Sequence, residues 1–189
     1  MQSRRSVLPF LIVILALVFV AWLIRRQFSS TPNKSPVTSE SVQAHAGPPD
    51  IYPDPARTPG ATNADITQEN IHDTICNPRW STKSIRPPAA YTNRLKMEQI
   101  GEYGYSDSRP RDYEEDHFIP LELGGNPTDP KNLWPEPFDT SIPDGGAHAK
   151  DKVENYLHAE VCSGSLTLDQ AQREISEDWY RVYQASVPH

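Results

Sequence analysis

Asp116 and His117 stand side by side in YEEDHFIPLEL, Asn132 follows His117 by fifteen residues, and His148 follows Asn132 by sixteen. On an extended strand adjacent side chains face opposite sides. Asp116 and His117 are therefore expected to serve different partners, one a metal ion and the other a water molecule on the substrate side. Such a set suits phosphodiester hydrolysis. That reaction needs a nucleophile made from water, neutralisation of the phosphoryl oxygens and a stabilised leaving alkoxide. An imidazole with an ordinary pKa near 6.5 can take the water's proton at physiological pH, a step worth about 10²–10⁴-fold. One divalent ion held by such a set, with open positions, would hold the phosphate and the leaving oxygen together. A mixed carboxylate and imidazole set suits Mg²⁺ first, with Mn²⁺ or Zn²⁺ as alternatives. No small-molecule cofactor is called for.

The elements that must position these groups follow from local pattern. Tyr113 to Leu123 reads as extended, and Gly124-Gly125-Asn126-Pro127 is strong turn chemistry. Residues 132–134 read as a second short strand bounded by Pro135, and 138–146 as loop. A helix is expected from about Ala147 to Cys162, with Val153, Leu157 and Val161 along one side and Ser163-Gly164 as its stop. This strand–turn–strand–helix unit is expected to bring His148 back beside Asp116. Residues 89–103 read as a helix ending at Gly101 or Gly104. Thr167-x-x-Gln170 is a capping box that opens a last helix with Leu168, Ala171, Ile175, Trp179, Val182 and Tyr183 inward. Ile66, Ile71 and Ile75 recur at helix-like spacing.

DHFIPLELGG, then NLWP, then the helical histidine of AHAKD resemble the HNH endonucleases, the ββα-metal nucleases, over roughly 113–158. The flanking DTIC, RPP, YTNRLK and VCSG, TLDQAQREI and DW resemble a subgroup of bacterial HNH-like proteins with an extracytoplasmic cysteine pair. The resemblance implies that Asp116 and His148 are metal ligands, that His117 is the general base, and that Asn132 supports the loop through hydrogen bonds. Two departures stand out. No Cys-x-x-Cys pair flanks the last histidine, and residues 135–147 lengthen the interval between Asn132 and His148. The fold class expected is α+β: a small ββα-metal hairpin–helix unit surrounded by helices, preceded by one transmembrane helix and a disordered Pro-rich linker.

Of 189 residues, positions 7–24 form an eighteen-residue run without a charge. At a rise of 1.5 Å that run spans about 27 Å, close to the roughly 30 Å core of a bilayer. It ends in WLIRRQF with no small-residue cleavage site, so 1–26 reads as an uncleaved signal anchor. Residues 27–65 hold seven of the 19 prolines and read as a flexible linker whose end, Pro53 to Asp65, is expected to pack on the domain as irregular chain. The folded domain is expected over 66–189, long enough for one core. Cys76 and Cys162, one near each end of it, form either a bridge worth about 2–4 kcal/mol or two buried thiols. With the bridge, the expected placement is a single-pass inner-membrane protein whose C-terminal domain is extracytoplasmic.

The formal charge of -7 excludes a histone-like basic binder. From Asp112 to His189 there are 16 acids against five Lys or Arg. Between Arg79 and Arg111, however, seven bases face three acids, with Trp80, Tyr91, Tyr103 and Tyr105 interleaved. That stretch is expected to line a nucleic-acid groove through Arg94, Lys96, Arg109 and Arg111. Lys150 and Lys152, early in the helix of His148, are expected to reach a phosphate oxygen. The partner expected is nucleic acid, DNA ahead of RNA, cut with low sequence specificity. Two other readings fit the chain: a non-catalytic, membrane-tethered nucleic-acid or envelope-binding protein of the same fold, and a metallohydrolase of another phosphoester.

Overall fold

The computed structural model describes residues 50–187, all within one compact unit, Gln43–His189. Among the described residues there are three α-helices and one two-stranded sheet: α1 (Ala89–Tyr103), β1 (Tyr113–His117), β2 (Leu133–Pro137), α2 (Ala147–Ser163) and α3 (Leu168–Ser186). The strands pair antiparallel, Tyr113 opposite Pro137 and His117 opposite Leu133. β2 runs straight through Pro135, which sequence pattern makes a boundary. In a two-stranded sheet each strand has a free edge, so a proline can turn its missing N–H outward. β1 is shorter than expected. It stops at His117, and Leu121–Leu123 forms a single 3-10 turn.

Helix ends follow local chemistry. Gly104 (φ 70°) and Gly164 (φ 82°) close α1 and α2 in the left-handed region, which costs glycine nothing. Thr167 and Gln170 satisfy each other's backbone N–H groups at the start of α3. Helix α3 bends at Asp178 (φ -164°). There the carboxylate accepts from the Tyr52 hydroxyl at 2.5 Å and from the Arg181 amide at 3.0 Å, recapping the second half.

The main core lies between α2 and α3. Val153, Leu157 and Val161 face Ala171, Ile175 and Trp179, each at most 1 % exposed. Burial of each larger side chain contributes about 1.5–3 kcal/mol. Ile66, just before a 3-10 turn (Gln68–Asn70), and Ile71 and Ile75, in the turns after it, close this core. Ile51 and Tyr52 are also buried there, and Thr62 bridges Gly125. The end of the linker thus packs on the domain as irregular chain, as expected for Pro53 to Asp65 and beginning slightly earlier, at residue 50.

Cys76 and Cys162 form a disulfide with Cα atoms 5.4 Å apart. It ties the C-terminal end of α2 to the segment after Ile75, resolving the alternatives in favour of the bridge.

The expected fold class needs one correction. No helix among the described residues is long and apolar enough to cross a membrane, and the run 7–24 expected to do so lies outside them. Among the described residues the fold is α+β, with no helix that could serve as the expected transmembrane span. The single-pass inner-membrane placement that depended on this helix is corrected on the same finding.

Candidate functional site

Strand β1 and the turn after it set the site. Asn132 is fully buried and cross-links the connection: its Oδ1 accepts from the Ile119 amide at 2.9 Å. Its Nδ2 donates to the Ile119 and Asn126 carbonyls at 2.9 and 3.0 Å. Gly125 is required here, because a Cβ would lie 1.8 Å from the Ile119 carbonyl oxygen. This latch holds the 118–132 connection closed and positions Pro127. The Pro127 carbonyl lies 3.0 Å from His117 Nε2. A carbonyl only accepts, so Nε2 carries the proton and Nδ1 of the neutral ring keeps its lone pair. Burial lowers the His117 pKa from its ordinary value, which Asp116 only partly opposes.

His117 lies in the wall of a cleft of about 390 Å³, with Arg86, Lys96, Arg111, Tyr113 and Glu115 among its other walls. Three cations thus share the walls of this cleft with the imidazole. Lys96 Nζ also donates to the Tyr113 carbonyl at 2.8 Å. Glu115, two residues before His117 on β1, has both carboxyl oxygens buried without a hydrogen-bond partner. Burial pushes its pKa up to about 8, against the pull of Lys96. At neutral pH the cleft therefore holds a neutral imidazole and a protonated carboxyl on the same strand.

Asp116 leads away from the cleft cations, to α2. Its Oδ2 lies 2.5 Å from Lys150 Nζ. The same ammonium is 2.5 Å from Glu154 Oε1 and 3.8 Å from Glu136 Oε2, and it donates to the His117 carbonyl at 3.1 Å. Lys150 is 0 % exposed. Burial opposes its charge, but Asp116, Glu154 and Glu136 together raise its pKa well above the ordinary value. Burial opposes ionisation of Asp116 as well, but Lys150 first, and the neighbouring Glu136 carboxyl after it, hold its pKa below normal. Burial drives Glu136 well up and Glu154 to about 8. The cage thus sets one ammonium against one ionised carboxylate, with Glu136 and Glu154 keeping protons.

His148 lies elsewhere. It is 81 % exposed, its Nδ1 3.8 Å from Asp151 Oδ2, and its ring centroid 5.4 Å from that of Phe138. With Lys152 it lines a second hollow of about 450 Å³. A divalent ion shared by Asp116 and His148 does not fit these residues. Asp116 already holds an ammonium, and His148 turns to Asp151.

Of the residues expected to meet nucleic acid, Lys96 and Arg111 share the His117 cleft. Arg94 is exposed on α1. Arg109 pairs with Asp107 and Asp112 at 2.9 and 2.7 Å. Lys152 sits over the Tyr183 ring at 5.6 Å, and Lys150 points inward. Pattern reading passed over Glu115, Glu136, Glu154 and Arg86 as site residues. It also passed over His158, although His158-x-x-x-Cys162 puts both side chains on one face of a helix. Cys76, His158 and Cys162 lie close enough together to hold a metal ion, with the two cysteines joined as a disulfide. No family model, curated protein or solved structure matches this chain.

Proposed function

We propose that the cleft binds the backbone of a nucleic acid and hydrolyses its phosphodiester bonds, with His117 as general base. The observation that carries this reading is the neutral imidazole anchored through Nε2 to the Pro127 carbonyl, in a wall shared with Arg86, Lys96 and Arg111. A phosphate entering there meets the three cations, which neutralise its oxygens. His117 Nδ1 takes a proton from water as that water attacks phosphorus. Glu115, still protonated, gives its proton to the leaving alkoxide. The resemblance of DHFIPLELGG and NLWP to HNH nucleases supports the same reaction class, but no step is assigned to a metal on Asp116 and His148. The acidic remainder of the chain argues for weak, sequence-tolerant binding.

One observation favours a second reading. Lys150 occupies Asp116 as a bound ion would, which suits a nucleic-acid-binding protein of this fold without turnover. Purified chain is incubated with supercoiled plasmid, single-stranded DNA and RNA, in Mg²⁺, Mn²⁺ or EDTA, beside His117→Ala. Cleavage of any substrate that vanishes in the variant supports the enzyme. Binding without cleavage by folded protein supports the second reading.

A further inference from the structure

We propose that opening the Cys76–Cys162 disulfide converts it into a zinc site built from Cys76, His158 and Cys162. This inference is independent of whether the cleft is catalytic. One ligand atom from each of the three residues lies within 4.8 Å of the others. His158 Nε2 is already 3.4 Å from Cys162 Sγ. A tetrahedral ion with Zn–S of about 2.3 Å and Zn–N of about 2.0–2.1 Å needs ligand atoms about 3.5–3.8 Å apart. That spacing lies inside the limit the three residues meet. Two supports hold the residues in place: His158 and Cys162 are one helical turn apart on α2, and Cys76 is fixed by the buried Ile75 beside it.

The side chains are partly exposed, so reductant and ion can reach them. A dithiol supplies two electrons and two protons, closing to its own disulfide and leaving two cysteine thiols. Zinc then displaces both thiol protons. His158 gives up the hydrogen bond from Nε2 to the Ile75 carbonyl, now 2.8 Å, moves its proton to Nδ1 and offers the lone pair. Two thiolates and an imidazole select zinc over magnesium or calcium by softness. With three protein ligands the fourth tetrahedral position is left to a water molecule. The metal would replace the covalent tie between α2 and the 71–77 segment, so the domain stays closed in either redox state.

The test reduces the full chain with a phosphine, which brings no thiol of its own and leaves as its oxide, and titrates in Co²⁺. Expected are one cobalt per chain, a thiolate-to-cobalt charge-transfer band and its loss on adding Zn²⁺, with none of these in the oxidised chain. Cys76→Ser is expected to abolish the band. His158→Ala is expected to weaken binding by at least the roughly 10–100-fold that losing a mere supporting group costs. A reduced chain that keeps its circular dichroism but takes up no cobalt would overturn the proposal. So would binding indifferent to His158→Ala. If reduction unfolds the chain, zinc must restore the spectrum, and failure to do so also overturns it.

Discussion

Lys150→Met removes the only cation of a buried cage while keeping the length and apolar stem of the side chain. At about pH 7 the Asp116 carboxylate then faces Glu136 and Glu154 with no counterion. Leaving such a charge unpaired costs about 3–5 kcal/mol. Asp116 can escape by taking up a proton, and the cost of that is set by pH. From its ordinary value of 3.8, at about 1.4 kcal/mol per pH unit, protonation costs about 4 kcal/mol at pH 7 and about 2 kcal/mol at pH 5.5. The loss of stability is therefore expected near 4 kcal/mol at neutral pH and half that in mild acid. At roughly 3 °C per kcal/mol for a domain of this size, Tm falls by about 12 °C and about 6 °C respectively. Thermal unfolding of wild type and variant, followed by near-ultraviolet circular dichroism at both pH values, reads this directly. Adding Asp116→Leu to the variant is expected to recover much of the loss, since an apolar pair can replace a buried ion pair. A drop below about 3 °C at pH 7, or a drop that ignores pH, would refute the reasoning.

Activity should follow a bell against pH. It fails in acid as His117 gains a proton below its lowered pKa, and it fails in base as Glu115 loses one near its raised value of about 8. A kcat/KM profile checks both limbs, and Glu115→Gln should flatten the basic one. Arg86→Gln or Arg111→Gln should weaken DNA binding without regard to sequence and shallow the salt dependence by about one counterion each. Binding titrations across salt concentration show this, with Arg109→Gln changing less because Asp107 and Asp112 already engage Arg109. Because Lys150 already fills Asp116, EDTA should leave the cleavage rate unchanged. Loss of cleavage on chelation, restored by Mg²⁺, would mean that Lys150 leaves Asp116 in the working protein.

Local signals in the chain were legible where the physics is local. Gly104, Gly164 and the Thr167–Gln170 capping box end and start helices by their own backbone chemistry. The Asp116–His117 alternation likewise followed from strand geometry, as did a turn at Gly124-Gly125. The second strand extends past its local signal, because Pro135 marks a boundary in central strands and nothing local says that this strand has a free edge. The end of the spacer, Pro53 to Asp65, packs on the domain as its sequence suggests, and Ile51 at 1 % and Tyr52 at 5 % exposure extend that packing further toward the N-terminus. Lys150 misled most. Early in its helix it reads as a phosphate contact, and Asp116 and Glu136, from distant strands, turn it inward instead. His148 followed the helix start as expected, but the loop before it sets where that turn of helix faces, and no local pattern encodes that.

The most direct measurement is single-turnover cleavage of a labelled nucleic acid by wild type and His117→Gln, with matched folding and matched binding. The account predicts binding within error and a rate lower by about 10²–10⁴-fold in the variant. Equal rates would contradict it, since the imidazole anchored on Pro127 would then take no part in the reaction.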